Sequence, residues 1–208
     1  TDPESGKYVV LNIDAKLQSL VEEQLAGAIE RARSKDYVGE SGAAVVVDVN
    51  NGNILAMATY PSYDPRIWLG GISNKEFESL SDPKSGIPLI SRATQGLFAP
   101  ASIYKVITAS AAAENGFDLK DIYQCPPQLE IGTRVFRNYE SLGFGAITMQ
   151  RAIEVSCDTV FYDIANTLWL KDGGLNPVAN PVDAVEKMSF AFGLGSKTGI
   201  DLPEEVKG

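Results

Sequence analysis

The sequence has no histidine, and that one absence rules out Ser-His-Asp and Cys-His arrangements. A serine nucleophile in this chain must use another base. Cysteine is nearly as scarce: Cys125 and Cys157 cannot define a disulfide framework or a four-ligand zinc site, and they either form one bridge or remain two thiols. Basic residues are outnumbered, 18 Lys and Arg against 27 Asp and Glu, giving a net charge of -9. No basic run sits beside an aromatic cluster, so no nucleic acid partner is expected. Long apolar runs are also missing. Nothing approaches the roughly 18 consecutive apolar residues of a membrane span, and the opening "TDPESGKY" lacks the charged and apolar regions of a signal peptide. No residue set calls for a cofactor, and none is expected.

What is present suffices for a packed core: 208 residues, of which 44% are hydrophobic. Asp14 is placed to cap a helix running to about Lys35, with Leu17, Leu20, Val21, Leu25, Ala28 and Ala32 on one face. "AAVVVDV" and "ILAMATY" read as two strands, joined by a two-residue turn at Asn51-Gly52. Turn signals dominate from Pro61 to Pro88, around a short helical piece near Lys75 to Leu80. An alanine-rich helix is expected from Ser102 to Asn115, then a polar segment with a minor hairpin. "ITMQRAIEVSCDTVFYDIANTLW" gives helical material on both sides of Ser156, with Phe161, Tyr162, Leu168 and Trp169 assigned to the core. "PVDAVEKMSFAF" gives a last short helix. The plan is α+β, one domain over 1–208, with a helix and hairpin in 9–60 and a helical region in 61–208.

Within "FAPASIYKVITASAAAENG", Ser102 and Lys105 stand one helical turn apart and share a face. An amine there can reach the serine hydroxyl. To accept its proton near neutral pH, a lysine must titrate well below its ordinary value of about 10.4, which burial favours. The serine is also placed to cap the helix, where free N–H groups and the helix dipole favour developing negative charge. S-x-x-K alone is a weak signal, since serine caps and surface lysines are common. Further along, Ser156 and Asp158 fall in a break between helical stretches, in a form similar to the S-x-N element of S-x-x-K enzymes.

With those motifs in order, the chain resembles the transpeptidase domain of a class B penicillin-binding protein of the elongation type. The resemblance runs through "VVLNIDAKLQ", "GAAVVVDVNNGNILAMATYPSYDP", "PLISRATQGLFAPASIYKVITA", "YQCPPQLEIGTRVFRNYE", "AIEVSCDTVFYDIA" and "FGLGSKTGIDLP". "SCDTVFY" is similar to the form in actinobacterial members. The resemblance implies the penicillin-binding-protein/serine β-lactamase-like fold. It implies that Ser102 attacks the penultimate D-alanine carbonyl of a peptidoglycan stem peptide, with Lys105 taking its proton and Ser156 relaying one to the departing nitrogen. β-Lactam antibiotics would acylate the same serine. A β-lactamase or D,D-carboxypeptidase would share Ser102 and Lys105, and a β-lactam-sensing or structural domain would acylate without turnover.

The sequence departs from the family pattern at two places. Asp158 stands where many relatives have asparagine; its carboxylate can accept from Lys105 but cannot donate to a substrate carbonyl unless protonated. The third family element, K-T-G on a strand, is matched only in letters by Ser196 to Gly199, whose glycine-rich setting reads as a turn. The real element, with further strands and a last helix, is expected in a C-terminal remainder of the domain, as more chain or as a separate one. The resemblance also implies an N-terminal membrane anchor, a place on the extracytoplasmic face of the bacterial membrane, and elongation-complex membrane proteins as partners.

Overall fold

The computed structural model describes residues 6–208; part of the opening stretch read for a signal peptide lies outside the described residues. The chain divides into two compact units, one ending at Leu97 with Asp201–Val206 added, the other Phe98–Ile200 with Lys207 and Gly208. The α+β plan holds. Residues 61–97 fall in the same compact unit as the hairpin.

In the first unit, helix α1 (Ala15–Arg33) starts where Asp14 accepts from the Lys16 and Leu17 N–H groups. Its inner face follows an i, i+4 row of Leu17, Val21, Leu25 and Ile29, with Ile29 buried. Leu20 and Ala28, expected on that face, lie outside it and are exposed. Strands β1 (Gly42–Val47) and β2 (Ile54–Tyr60) pair antiparallel, Ala44 opposite Ala58. The connection is longer than a two-residue turn: Asp48 N–H donates to Asn53 O at 2.9 Å, closing a four-residue loop. The Asp48 carboxylate organises it, accepting from Asn50 N–H and from the Asn50 and Asn51 amides. These bonds hold its carboxyl below the usual value.

The two strand edges differ. Along β2, the Gln18 side-chain amide pairs with the Met57 backbone like a one-residue strand, at 3.0 and 2.8 Å, and Asp14 N–H reaches Leu55 O. Along β1, no second strand pairs among the described residues, and Val45 and Val47 are exposed. Helix α2 (Asn74–Ser81) opens with a capping box between Ser73 and Glu76. Helix α3 (Arg92–Gln95) packs on the hairpin, and Arg92 N–H donates to Thr59 Oγ1 at 3.1 Å.

The second unit is built around α4 (Tyr104–Glu114), which is entered through a 3-10 turn at Ala101–Ile103 and stopped at Asn115-Gly116. Short strands follow: β3 (Ile122–Cys125), the hairpin β4 (Gln128–Ile131) with β5 (Arg134–Arg137), and β6 (Gly145–Thr148). The hairpin is the one expected. The β3–β6 pair was not: Ile147 and Thr148, expected to be helical, end a strand, and Thr148 Oγ1 caps α5 (Met149–Glu154) by accepting from Arg151 N–H. Helices α6 (Asp158–Lys171) and α7 (Ala184–Ala191) pack against α4. Ala111, Ala112, Val160, Phe161, Ile164 and Leu168 meet in the core. Tyr162 and Trp169 leave it, at 38% and 45% exposure, since α6 presents them on its outer side. Tyr162 packs against the Phe136 ring at 5.0 Å.

Candidate active site

The entrance to α4 is bent. Ala101 has φ of 51°, a left-handed conformation costing a non-glycine residue about 1 kcal/mol. That bend sets Ser102 inside the 3-10 turn, with Ile103 in the capping position, and no side chain caps α4. The expectation of Ser102 as a helix cap is therefore corrected. Its hydroxyl is left for other partners.

Ser156 is bent in the same way, with φ of 53°, and occupies the turn between α5 and α6. Strained non-glycine backbone of this kind persists only where surrounding structure holds it. Here the hold includes a disulfide: Cys125, at the end of β3, is bonded to Cys157, beside Ser156, and both are fully buried. Of the two states the sequence allows for these cysteines, the structure adopts the bridge.

These two bends bring four predicted residues together. Lys105, 7% exposed, sends its ammonium to Ser102 Oγ at 3.1 Å, Ser156 Oγ at 2.7 Å, Ser156 O at 2.8 Å and Asp158 Oδ1 at 2.6 Å. Ser156 Oγ stands 2.9 Å from Ser102 Oγ. The lysine nitrogen has three positions besides its carbon, but four oxygen neighbours. An ionised Asp158 and the Ser156 carbonyl can only accept, so each takes an N–H. The third position faces the two hydroxyls. In a neutral amine that position is a lone pair, so the geometry accommodates lysine as a base while Asp158 and the Ser156 carbonyl keep their hydrogen bonds.

Asp158 pairs with Lys105 through Oδ1, and its side chain keeps 25% exposure. The Phe161 ring, 6.0 Å from the lysine nitrogen, closes one side of the pair. Two cavities open on the cluster. One, of about 530 Å³, is lined by Ser102, Lys105, Thr108, Phe161, Tyr162 and Val185 among others. The second, of about 280 Å³, has Asn138, Tyr139, Leu142, Phe144 and Ser156 on its walls, with Ser102 and Asp158 bordering both. Sequence reasoning missed these walls, because aromatic residues in "RNYESLGFG" carry no pattern that distinguishes a cavity from a loop.

The Ser196 to Gly199 stretch forms no strand; Gly195 just before it and Gly199 at its end have positive φ of 75° and 84°. It is irregular backbone, with Ser196 a bend just after the turn at 192–195. No helix among the described residues is long and apolar enough to cross a membrane.

Comparisons of the whole chain with known proteins point one way. The peptidoglycan D,D-transpeptidase MrdA of Escherichia coli is 33% identical over 99% of this chain, which spans 29% of that relative's length. A penicillin-binding protein (PBP2) of Helicobacter pylori, solved in complex with MreC, superposes with a TM-score of 0.72 at 27% identity, covering 94% of this chain and 32% of that one. Penicillin-binding protein A of Mycobacterium tuberculosis, solved as an imipenem acyl-enzyme complex, gives 0.69 at 25% identity, over 89% of this chain and 40% of that one. The family described as "Penicillin binding protein transpeptidase domain" matches residues 42–208. The chain belongs to the penicillin-binding protein transpeptidase family.

Proposed function

We propose that this domain is a peptidoglycan D,D-transpeptidase acting through an acyl-enzyme on Ser102. The observation that carries the reading is the triangle of Ser102 Oγ, Lys105 Nζ and Ser156 Oγ, with sides of 3.1, 2.7 and 2.9 Å. In the forward step Ser102 Oγ bonds to the penultimate D-alanine carbonyl carbon and its proton passes to Lys105. The Ser102 N–H, at the entrance to α4, supplies one oxyanion donor, a type of interaction worth about 3 kcal/mol. As the C–N bond breaks, Ser156 gives its proton to the departing nitrogen and recovers one from Lys105. The net transfer runs from Ser102 to free D-alanine. An amine of a neighbouring strand then repeats the path in reverse, forming the cross-link and freeing Ser102. A β-lactam enters the same first step, but its leaving nitrogen stays tethered.

Asp158 holds Lys105 in place and is not assigned to the substrate. On this reading the strand-borne third element and further strands of the family fold belong to a C-terminal remainder, in the same or a separate chain. The unpaired edge of β1 supports adding them there, since Gln18 pairs with Met57 on the opposite edge of the hairpin. Two further assignments belong to the whole protein. A bridge between Cys125 and Cys157 suits the oxidising extracytoplasmic face of a membrane. The likeness to a PBP2 solved with MreC supports elongation-complex membrane proteins as partners.

The test combines the domain with its C-terminal remainder and a pentapeptide stem. Release of free D-alanine with formation of a cross-linked dimer supports transpeptidation. Release without dimer points to a carboxypeptidase, fast hydrolysis of penicillin to a β-lactamase, and a stable penicillin adduct with no peptide turnover to a sensor.

A further inference from the structure

Asn138 is 5% exposed, and none of the steps above uses it. Its side-chain amide is saturated in three directions. Nδ2 donates to Pro126 O at 2.9 Å and to Leu142 O at 2.7 Å, while Oδ1 accepts from Thr159 N–H at 2.9 Å. These three partners are backbone groups from different segments, and Nδ2 also lies 3.4 Å from Cys125 Sγ. Pro126 follows Cys125 at the end of β3, Leu142 lies on the return toward β6, and Thr159 is the residue after Asp158 in the first turn of α6. Thr159 Oγ1 tightens the same junction by donating to Pro126 O at 2.9 Å. Only a carboxamide offers two donors and one acceptor in this shape. An aspartate would set a carboxylate against two carbonyl oxygens.

The junction touches the reacting groups on two sides. Thr159 adjoins Asp158, whose carboxylate holds Lys105, and the strained Ser156 lies just before Cys157. Leu142, which Asn138 secures, walls with Tyr139 the smaller cavity that Ser102 and Ser156 also line. The disulfide crosses the same point but fixes only Cys125 to Cys157; it leaves the hydrogen-bonding of Thr159 and Leu142 to the amide.

We infer that Asn138 is a positioning residue for acyl transfer: by pinning the first turn of α6 and the 139–142 turn to the end of β3, it sets Ser156 and Asp158 against Lys105 and Ser102. This rests on the transpeptidase reading above. The test is stopped-flow acylation by a fluorescent penicillin in the full chain carrying this domain, which separates the non-covalent binding constant from the acylation rate constant. Asn138→Asp is expected to slow acylation at least tenfold at pH 7.5, with binding changed less than threefold. Below about pH 5 the deficit should shrink, as the new carboxyl takes up a proton and regains a donor. Rates are taken per folded molecule. Where Asn138→Asp does not fold, Asn138→Ser, which keeps one donor and one acceptor, is read for the same loss in rate. A folded variant acylated within twofold of the parent, or a deficit lying in binding alone, overturns the inference while leaving the transpeptidase reading intact. A parent protein that takes no label overturns that reading, and this inference with it.

Discussion

The hydroxyls of Ser102 and Ser156 stand 2.9 Å apart although 54 residues separate them in the chain. Two left-handed bends, at Ala101 and at Ser156 itself, create that approach. A common lysine sits within hydrogen-bond reach of both. The outcomes expected below follow from this cluster and the structure that holds it.

Ser156→Ala removes the relay hydroxyl but keeps the turn, the Ser156 carbonyl position and the Lys105–Asp158 pair. General acid–base groups contribute roughly 10²–10⁴-fold. Acylation of the full chain is expected to slow within that range, with the melting temperature moved by no more than about 2 °C, a shift matching roughly 0.5 kcal/mol. A rate unchanged by the substitution would remove Ser156 from the proton path.

Asp158→Ala leaves the Lys105 amine without its nearest partner in a site where the lysine side chain is 9% exposed and the aspartate 25%. Removing one member of a buried pair costs about 3 kcal/mol. Urea denaturation should register that loss, and the double variant Lys105→Met with Asp158→Leu should recover much of it. If the double variant is as unstable as the sum of the two singles, the pair is not coupled.

Cys125 and Cys157 close a loop with a sequence separation of 32 residues. Loop-closure entropy for that length is worth about 3–4 kcal/mol. Converting both to alanine should lower unfolding stability by that order, and acylation should fall as well, because the bridge anchors the Ser156 turn. Mild reductant should act slowly on the folded protein, since both residues are fully buried. Fast reduction without unfolding would contradict the burial.

Glu76 titrates below its ordinary value of 4.5 because the Ser73 hydroxyl and the Ser73 N–H both donate to its carboxylate. A carboxyl depressed in the folded state contributes stability that is present above its unfolded value and is lost as pH falls through the folded one. The protection of first-turn α2 amides, taken as the exchange rate relative to the intrinsic rate at each pH, should therefore fall as the pH drops below about 4.5, and Glu76→Gln should flatten that dependence. Protection that is equally pH-sensitive in Glu76→Gln would refute the role of the box.

What the sequence revealed was mostly local. Ser102 and Lys105 could be paired from their spacing, because a helical turn fixes which residues share a face. Ser156 and Asp158 stood out as a break in helical periodicity. The α1 face differs by one row from its periodicity: Leu20 is apolar enough to mislead, while the i, i+4 row through Ile29 is the one that packs. Strands β3 and β6 are four residues each, too short to show alternation, and they pair across a long insertion. Asn138 was invisible for a different reason. Its partners are three backbone groups on distant segments, and in "FRNYE" it looks like any turn residue.

The central claim is that Ser102 forms the acyl bond, and intact-protein mass spectrometry after incubation with penicillin tests it most directly. The full chain carrying this domain should gain the mass of one penicillin, peptide mapping should place the adduct on Ser102, and Ser102→Ala should gain none. An adduct on Ser156 or any other residue, or an undiminished adduct on Ser102→Ala, would contradict it.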